Sequence, residues 1–195
     1  VVDYAPTPVA GQINLTPQDF INWALGEHAT LAAIAADLPH VTLVDQPRGT
    51  DRYVYPFHWI LSDRSGQTLV IEPTGGPLTA QLNPAGVLTN TPILATHLRN
   101  LNDFLAVDAP DFSPATVAAA RSYLASGQPL PSGPVPTNRF IHTAIQRWGN
   151  PPAATTGAAI THLFQWLAEV QLPYQPERRH DRNHNYTHYR GICDL

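Results

Sequence analysis

Apolar and polar positions along the chain follow two periods, and the switches between them mark out the elements. Phe57-His58-Trp59-Ile60-Leu61-Ser62 carries the alternation of a strand with two different faces. Asp63-Arg64-Ser65-Gly66 then supplies turn chemistry, with Gly66 free to take positive φ. Thr68 to Glu72 is a second strand of β-forming residues that ends on an acid. Thr74-Gly75-Gly76 turns the chain, Leu78 to Leu82 returns it, and Asn83-Pro84 breaks that strand. Val87 to Asn90 is expected as a further short strand, stopped before Pro92. The result is an antiparallel meander with Asn90 at its end.

On either side of the meander the period is helical. Val1 to Asn14 reads as the tail of a strand and a loop. Thr16-Pro17-Gln18-Asp19 is then a helix start, with Phe20, Ile21, Ala24 and Leu25 as one apolar face. Thr30 caps a second short helix with Leu31, Ile34 and Leu38 inward, and Val41 to Val44 is a short strand. Asp45 to Tyr55 is an irregular loop carrying Arg48, Arg52, Tyr53 and Tyr55. After the meander come helices over Ile93–Phe104, over Ala115–Ser126 behind a Ser113-Pro114 cap, from Arg139 to Trp148, and over about Gly157 to Val170. Tyr186 to Leu195 returns to strand-like composition. No internal repeat and no second domain boundary is visible, so residues 1–195 are read as a single domain.

Composition narrows the function classes. A hydrophobic content of 43% supports a sizeable core, and 20 prolines punctuate the loops. A formal net charge of -4, with no basic run, argues against nucleic acid as a partner. No apolar run approaches a bilayer span, so no membrane role is expected. One cysteine, Cys193, excludes an intrachain disulfide and reads as a small core residue. His180, His184 and His188 are spaced by four, but the arginines and polar residues around them read as a solvated arm, and no metal is expected. Nucleotide-binding glycine patterns and Gly-x-Ser-x-Gly are absent.

Several ordered pieces carry a resemblance. These are Ser62-Asp63 with Gly66, Ile71-Glu72, Gly86 to Pro92, and Asn100-Leu101-Asn102. Asn138-Arg139-Phe140-Ile141 and Thr187-His188-Tyr189 to Asp194 complete the series. In this order they resemble the choloylglycine hydrolase and penicillin V acylase family of N-terminal nucleophile amidohydrolases. The resemblance implies an α+β fold, the four-layer αββα sandwich of those enzymes, here incomplete at both ends. It also implies hydrolysis of linear amide bonds, as in conjugated bile acids, penicillin V or N-acyl homoserine lactones, with no cofactor.

Such chemistry uses an N-terminal Cys whose thiol attacks the carbonyl while its own α-amine acts as base. On the match, Asn90 is the neutral amide donor to the oxyanion, and Arg139 shapes the electrostatics of the nucleophile. The loop before the His58-Trp59 strand is expected to wall the substrate pocket through Tyr53, Tyr55 and Phe57. Val1 offers no nucleophile, and Cys193 has no free α-amine of its own. The first residue is not Met, so the chain is expected to begin inside a longer gene product. The Cys is then expected from a segment outside these residues, with an N-terminal companion chain as one source. The other reading is a catalytically inactive relative that serves as a binding or structural module. A small-molecule amide is the expected ligand and a homo-oligomer the expected assembly.

Overall fold

The computed structural model describes residues 2–47, 49, 53–180 and 186–192, and contact density divides it into two compact units, Val1–Ile93 and Leu94–Leu195. Arg48 and Arg52 of the expected pocket loop, His184, Cys193 and Asp194 lie outside the described residues.

In the first unit β1 (Ile13–Leu15) pairs in parallel with β2 (Val41–Leu43), joined by α1 (Phe20–Glu27) and α2 (Leu31–Asp37). This corrects the reading of Val1 to Asn14 as strand tail and loop. A two-helix crossover is long enough to return the chain in the same direction, which a hairpin turn cannot do. Isolated bridges join Asp3 to Thr74 and Ala5 to Val44. The meander forms as expected in β3 (Trp59–Ser62), β4 (Thr68–Ile71) and β5 (Ala80–Leu82), all antiparallel. Trp59 and Leu61 point to the core, with Ile71 and Leu78, while Phe20, Leu31, Ile34 and Leu38 close over them from the helices.

Two local expectations for the helix pair change. Thr16 does not cap α1: its hydroxyl donates to Asp19 Oδ2 at 2.6 Å, and the helix begins at Phe20. Only Phe20 and Ala24 of α1 are buried; Ile21 and Leu25 are exposed. Each lies a further 100° round the helix from an inward residue, beyond the stripe that the core covers. Thr30 caps α2 as expected, accepting from Ala33 N at 3.2 Å.

Asp63 has a second role besides the hairpin turn. Its carboxylate accepts from the Ser65 hydroxyl and amide and, at 3.0 Å, from Leu31 N at the start of α2. The carboxylate therefore satisfies one of the orphan amides of a helix 32 residues earlier in the chain. The Ser65 hydroxyl first, then the Leu31 and Ser65 amides, hold its pKa below the ordinary aspartate value. A depressed folded pKa gives stability that is present above the unfolded value, about 3.9, and is lost as pH falls through the folded one. Asp63→Asn is accordingly expected to lower stability at neutral pH but not in strong acid. Urea midpoints of parent and variant, measured across that range, should converge at the acid end.

The second unit is helical: α3 (Leu94–Phe104), α4 (Pro114–Ala125), α5 (Pro136–Gly149) and α6 (Thr156–Glu169). Its core draws Leu94, Leu98 and Leu101 from α3, Ala120 from α4, and Phe140, Ile141, Ala144 and Ile145 from α5. Ser113 and Thr116 make a reciprocal capping box at the head of α4. Gly149 ends α5 against α4 so closely that an added Cβ would lie 3.0 Å from Ala120 O and from Leu124.

Asn102 joins these helices. It is buried, donates to Ala109 O at 2.8 Å and Asp111 O at 2.9 Å, and accepts from Thr116 Oγ1 at 2.7 Å. One side chain thus fastens the end of α3, the α3–α4 loop and the first turn of α4. Asn102→Ala leaves three polar groups to find other partners, at a cost of about 2–4 kcal/mol. Calorimetry should show Tm lowered by about 8 °C or more for a unit of this size.

Two expected strands are not formed among the described residues. Val87 to Asn90 does not form a strand, and at its start the carbonyl of Val87 accepts from the Asn83 side chain, Nδ2, at 2.9 Å. Tyr186 to Ile192 forms no strand; Thr187 N donates to Leu172 O, Leu172 N donates to Thr187 Oγ1, and Arg190 Nη1 donates to Phe164 O at 3.0 Å. The apolar side of α6 is likewise not buried, since Ile160, Leu163 and Phe164 each remain more than a third exposed. No helix among the described residues is long and apolar enough to cross a membrane.

Candidate functional site

Asn90 lies in a bend just after the extended segment that leaves β5. The approach to it is fixed by Asn83, which is buried, donates to Val87 O and accepts from Gly86 N at 3.0 Å. Val87 is buried beyond this turn, whereas Asn90 is exposed. The Thr91–Pro92 peptide that follows is cis. Asn90 therefore stands at the solvent side of an anchored loop, with a neutral amide as its chemical asset.

Arg139 occupies the fourth position of α5 and is half-buried. Burial lowers its pKa from the ordinary guanidinium value. It remains cationic at physiological pH, because a guanidinium has no accessible neutral form. A basic residue near a helix N-terminus opposes the macrodipole, so its own helix gives the charge no stabilisation there. Phe140 beside it is fully buried and stacks on His97 of α3, with ring centroids 4.7 Å apart and planes 7° apart. Asn90 belongs to the first unit and Arg139 to the second.

The aromatic loop shows more organisation than the sequence suggested. Tyr53 and Tyr55 are exposed, and Phe57 is half-buried between Tyr55 and Trp59, at 6.0 and 6.3 Å between ring centroids. Tyr4, which sequence reading passed over, holds this loop: its hydroxyl donates to Tyr55 O and accepts from Phe57 N, both at 2.8 Å. Burial first, then the nearby charge of Asp45, raises the Tyr4 pKa against the lowering effect of the Phe57 amide. The phenol thus keeps its proton at neutral pH and can donate. Nothing in the pattern around Tyr4 marks this role, because its partners are more than 50 residues away.

A second cluster was visible only once strands were paired. His58 and Glu72 extend the β3–β4 register by one position, so they share a sheet face. His58 Nδ1 lies 3.3 Å from Glu72 Oε1, and Gln81 Nε2 donates to Glu72 Oε2 at 2.7 Å. The Glu72 carboxylate is nearly buried, with 5% exposure. A cavity of about 420 Å³ lies elsewhere in the unit, between Asp3–Pro6, β2 and the Gly75-Gly76 turn, and none of the candidate residues lines it. Among the described residues no group of three or more His, Cys, Asp or Glu is placed to hold a metal ion.

Comparison with known proteins meets this geometry from outside. The model of the linear amide C–N hydrolases, choloylglycine hydrolase family, matches residues 1–195. The chain belongs to this family. Among choloylglycine hydrolase relatives, the bile salt hydrolase/transferase of Clostridium perfringens is 29% identical over 202 residues, taking in 100% of this chain and 60% of that protein. The bile salt hydrolase/transferase of Lactiplantibacillus plantarum is 26% identical over 190 residues, 95% of this chain and 58% of that protein. The chain thus spans somewhat under two thirds of the length of these relatives.

Solved structures share the fold. A variant of conjugated bile acid hydrolase from Clostridium perfringens aligns with a TM-score of 0.67 at 23% identity, over 91% of this chain and 55% of that one. Penicillin V acylase from Agrobacterium tumefaciens aligns with a TM-score of 0.57 at 19% identity, over 91% of this chain and 50% of that one. The mixed helix-and-sheet fold is therefore the α+β fold that these solved structures share.

Proposed function

We propose that this chain is the body of an amidase that hydrolyses linear carbon–nitrogen amide bonds, with conjugated bile acids, penicillin V or N-acyl homoserine lactones as the substrate class. The observation that carries the reading is the family match over all of residues 1–195, a span that includes Asn90 and Arg139 in their motifs. In the proposed reaction an N-terminal Cys, supplied by a segment outside Val1–Leu195, attacks the amide carbonyl through sulfur. Its α-amine takes the thiol proton and passes it to the leaving nitrogen as the C–N bond breaks. Water then cleaves the thioester and restores the thiol. Asn90 donates to the oxyanion, Arg139 stabilises the thiolate, and Tyr53, Tyr55 and Phe57 wall the acyl pocket.

The two compact units are proposed to work as one domain, because the family match runs through both without a break. An inactive binding or structural module is the second reading. The test is intact mass spectrometry of the natively purified protein, with any associated chain sequenced from its N-terminus, followed by an amide substrate panel. A companion segment beginning with Cys, and turnover of one substrate class, is expected. A folded species of 21.3 kDa alone, inert to all three classes, would establish the second reading.

A further inference from the structure

One turn beyond Arg139 on α5, His142 sits with 6% exposure and is held at both ring nitrogens. Nδ1 lies 2.9 Å from Pro131 O in the loop that leads into α5, and Nε2 lies 2.7 Å from Glu169 Oε2 at the end of α6. Gln146 Nε2 donates to the same Glu169 oxygen at 2.9 Å. The loop is tied a second time where Asn138 Nδ2 donates to Ser132 O at 3.0 Å. Three segments therefore converge on one imidazole.

The partners determine the hydrogens. A backbone carbonyl oxygen can only accept, and so can an ionised carboxylate. A neutral imidazole has one N–H and one lone pair, and either tautomer would aim that lone pair at an acceptor. Protonating Glu169 is the alternative, but its side chain is 47% exposed, and its Oε2 already accepts from Gln146. Helix geometry adds an independent observation. Glu169 is the last residue of α6, where the macrodipole disfavours an acid unless a cation compensates. No residue of α6 is buried, so this helix has little apolar packing to hold it in place.

We propose that His142 is a positioning residue, a doubly protonated imidazolium that clasps the loop before α5 and the end of α6 onto the turn following Arg139. Its catalytic significance rests on the role proposed above for Arg139, whereas the clasp itself does not. Arg139 and Arg147 flank His142 on α5, and Glu169 supplies the charge that balances it. The Pro131 contact fixes the ring against rotation. Two charge-assisted hydrogen bonds, at distances typical of such pairs, then act where apolar burial does not.

The experiment is nitrogen-15 NMR of the His142 side chain in the unaltered protein at neutral pH, paired with amide hydrogen exchange along α6. Both ring nitrogens are expected to carry hydrogen. His142→Gln and Glu169→Gln are each expected to speed exchange in α6 about tenfold to hundredfold, the effect of losing one charged hydrogen bond. His142→Arg, which keeps a cation and several donors, should restore most of the protection. One unprotonated ring nitrogen, or unchanged α6 exchange in His142→Gln, overturns the clasp. Neither readout involves amide turnover, so such a failure leaves the amidase reading standing. Conversely, an activity indifferent to Arg139 substitution would sink that reading without touching the imidazolium.

Discussion

Phe20→Ala is expected to remove most of the stability of the first unit. Phe20 is completely buried at the head of α1, with its ring 4.4 Å from Trp59 of β3 and 5.6 Å from Trp23. It is the point where the helix pair meets the meander, since Leu31, Ile34 and Leu38 of the same pair surround the same core. Truncation to Ala loses the transfer free energy of the ring and leaves a cavity that two tryptophans cannot fill by rotating, so about 3–5 kcal/mol is expected. Whole domains are stable by only about 5–15 kcal/mol. The urea midpoint should fall by more than about 1 M, given slopes of about 1–3 kcal/mol/M for small proteins. Leu25→Ala is the control: Leu25 lies on the same helix but is 71% exposed, and its midpoint should hardly move. Equal effects of the two changes would mean that α1 does not pack as described.

The residues that made the fold legible are those whose information is local. Ser113-Pro114 announces the head of α4, and Thr30 announces that of α2, because a cap is a side chain bonding a backbone three residues away. The meander was readable from alternation plus the Asp63–Gly66 turn, whereas His58 opposite Glu72 emerged only from the paired register. What stayed hidden depends on distant partners. The β1–β2 pair has only three residues a side and joins segments across two helices. Tyr4 reads as an ordinary tyrosine until the chain brings Tyr55 and Phe57 to its hydroxyl. Val87 to Asn90 has strand composition but forms no strand, with the Val87 carbonyl bonded to Asn83, and β propensity reports fit to a pleated surface rather than pairing itself.

The candidate site divides in the same way. Asn90 and Arg139 were singled out through family motifs, and the structure places one in an exposed bend after an anchored turn and the other on a half-buried helix turn. Asn102 was found through the same kind of motif, yet its bonds to Ala109, Asp111 and Thr116 account for it as a structural fastening. A motif position alone does not separate chemistry from architecture. The two differ in burial: Asn102 is enclosed within its unit, whereas Asn90 is exposed.

That contrast sets the last prediction, which concerns Asn90→Ala in a preparation that includes the N-terminal Cys proposed above. An oxyanion donor acts only as charge develops on the carbonyl oxygen, so its loss should appear in kcat and leave KM nearly unchanged. The expected fall in kcat is about 10²–10³-fold, or about 2.7–4 kcal/mol, the range for removing one such donor. Because Asn90 is exposed, its thermal midpoint should stay within about a degree or two of the parent, the behaviour of surface substitutions. Asn90→Asp is the sharper variant, since it keeps the shape but would set a carboxylate against the developing oxyanion and should be at least as slow. Stopped-flow acylation with a chromogenic amide measures the step directly. Full activity in Asn90→Ala would remove Asn90 from the chemistry. A collapse in Tm together with the rate would reassign it to the class of Asn102.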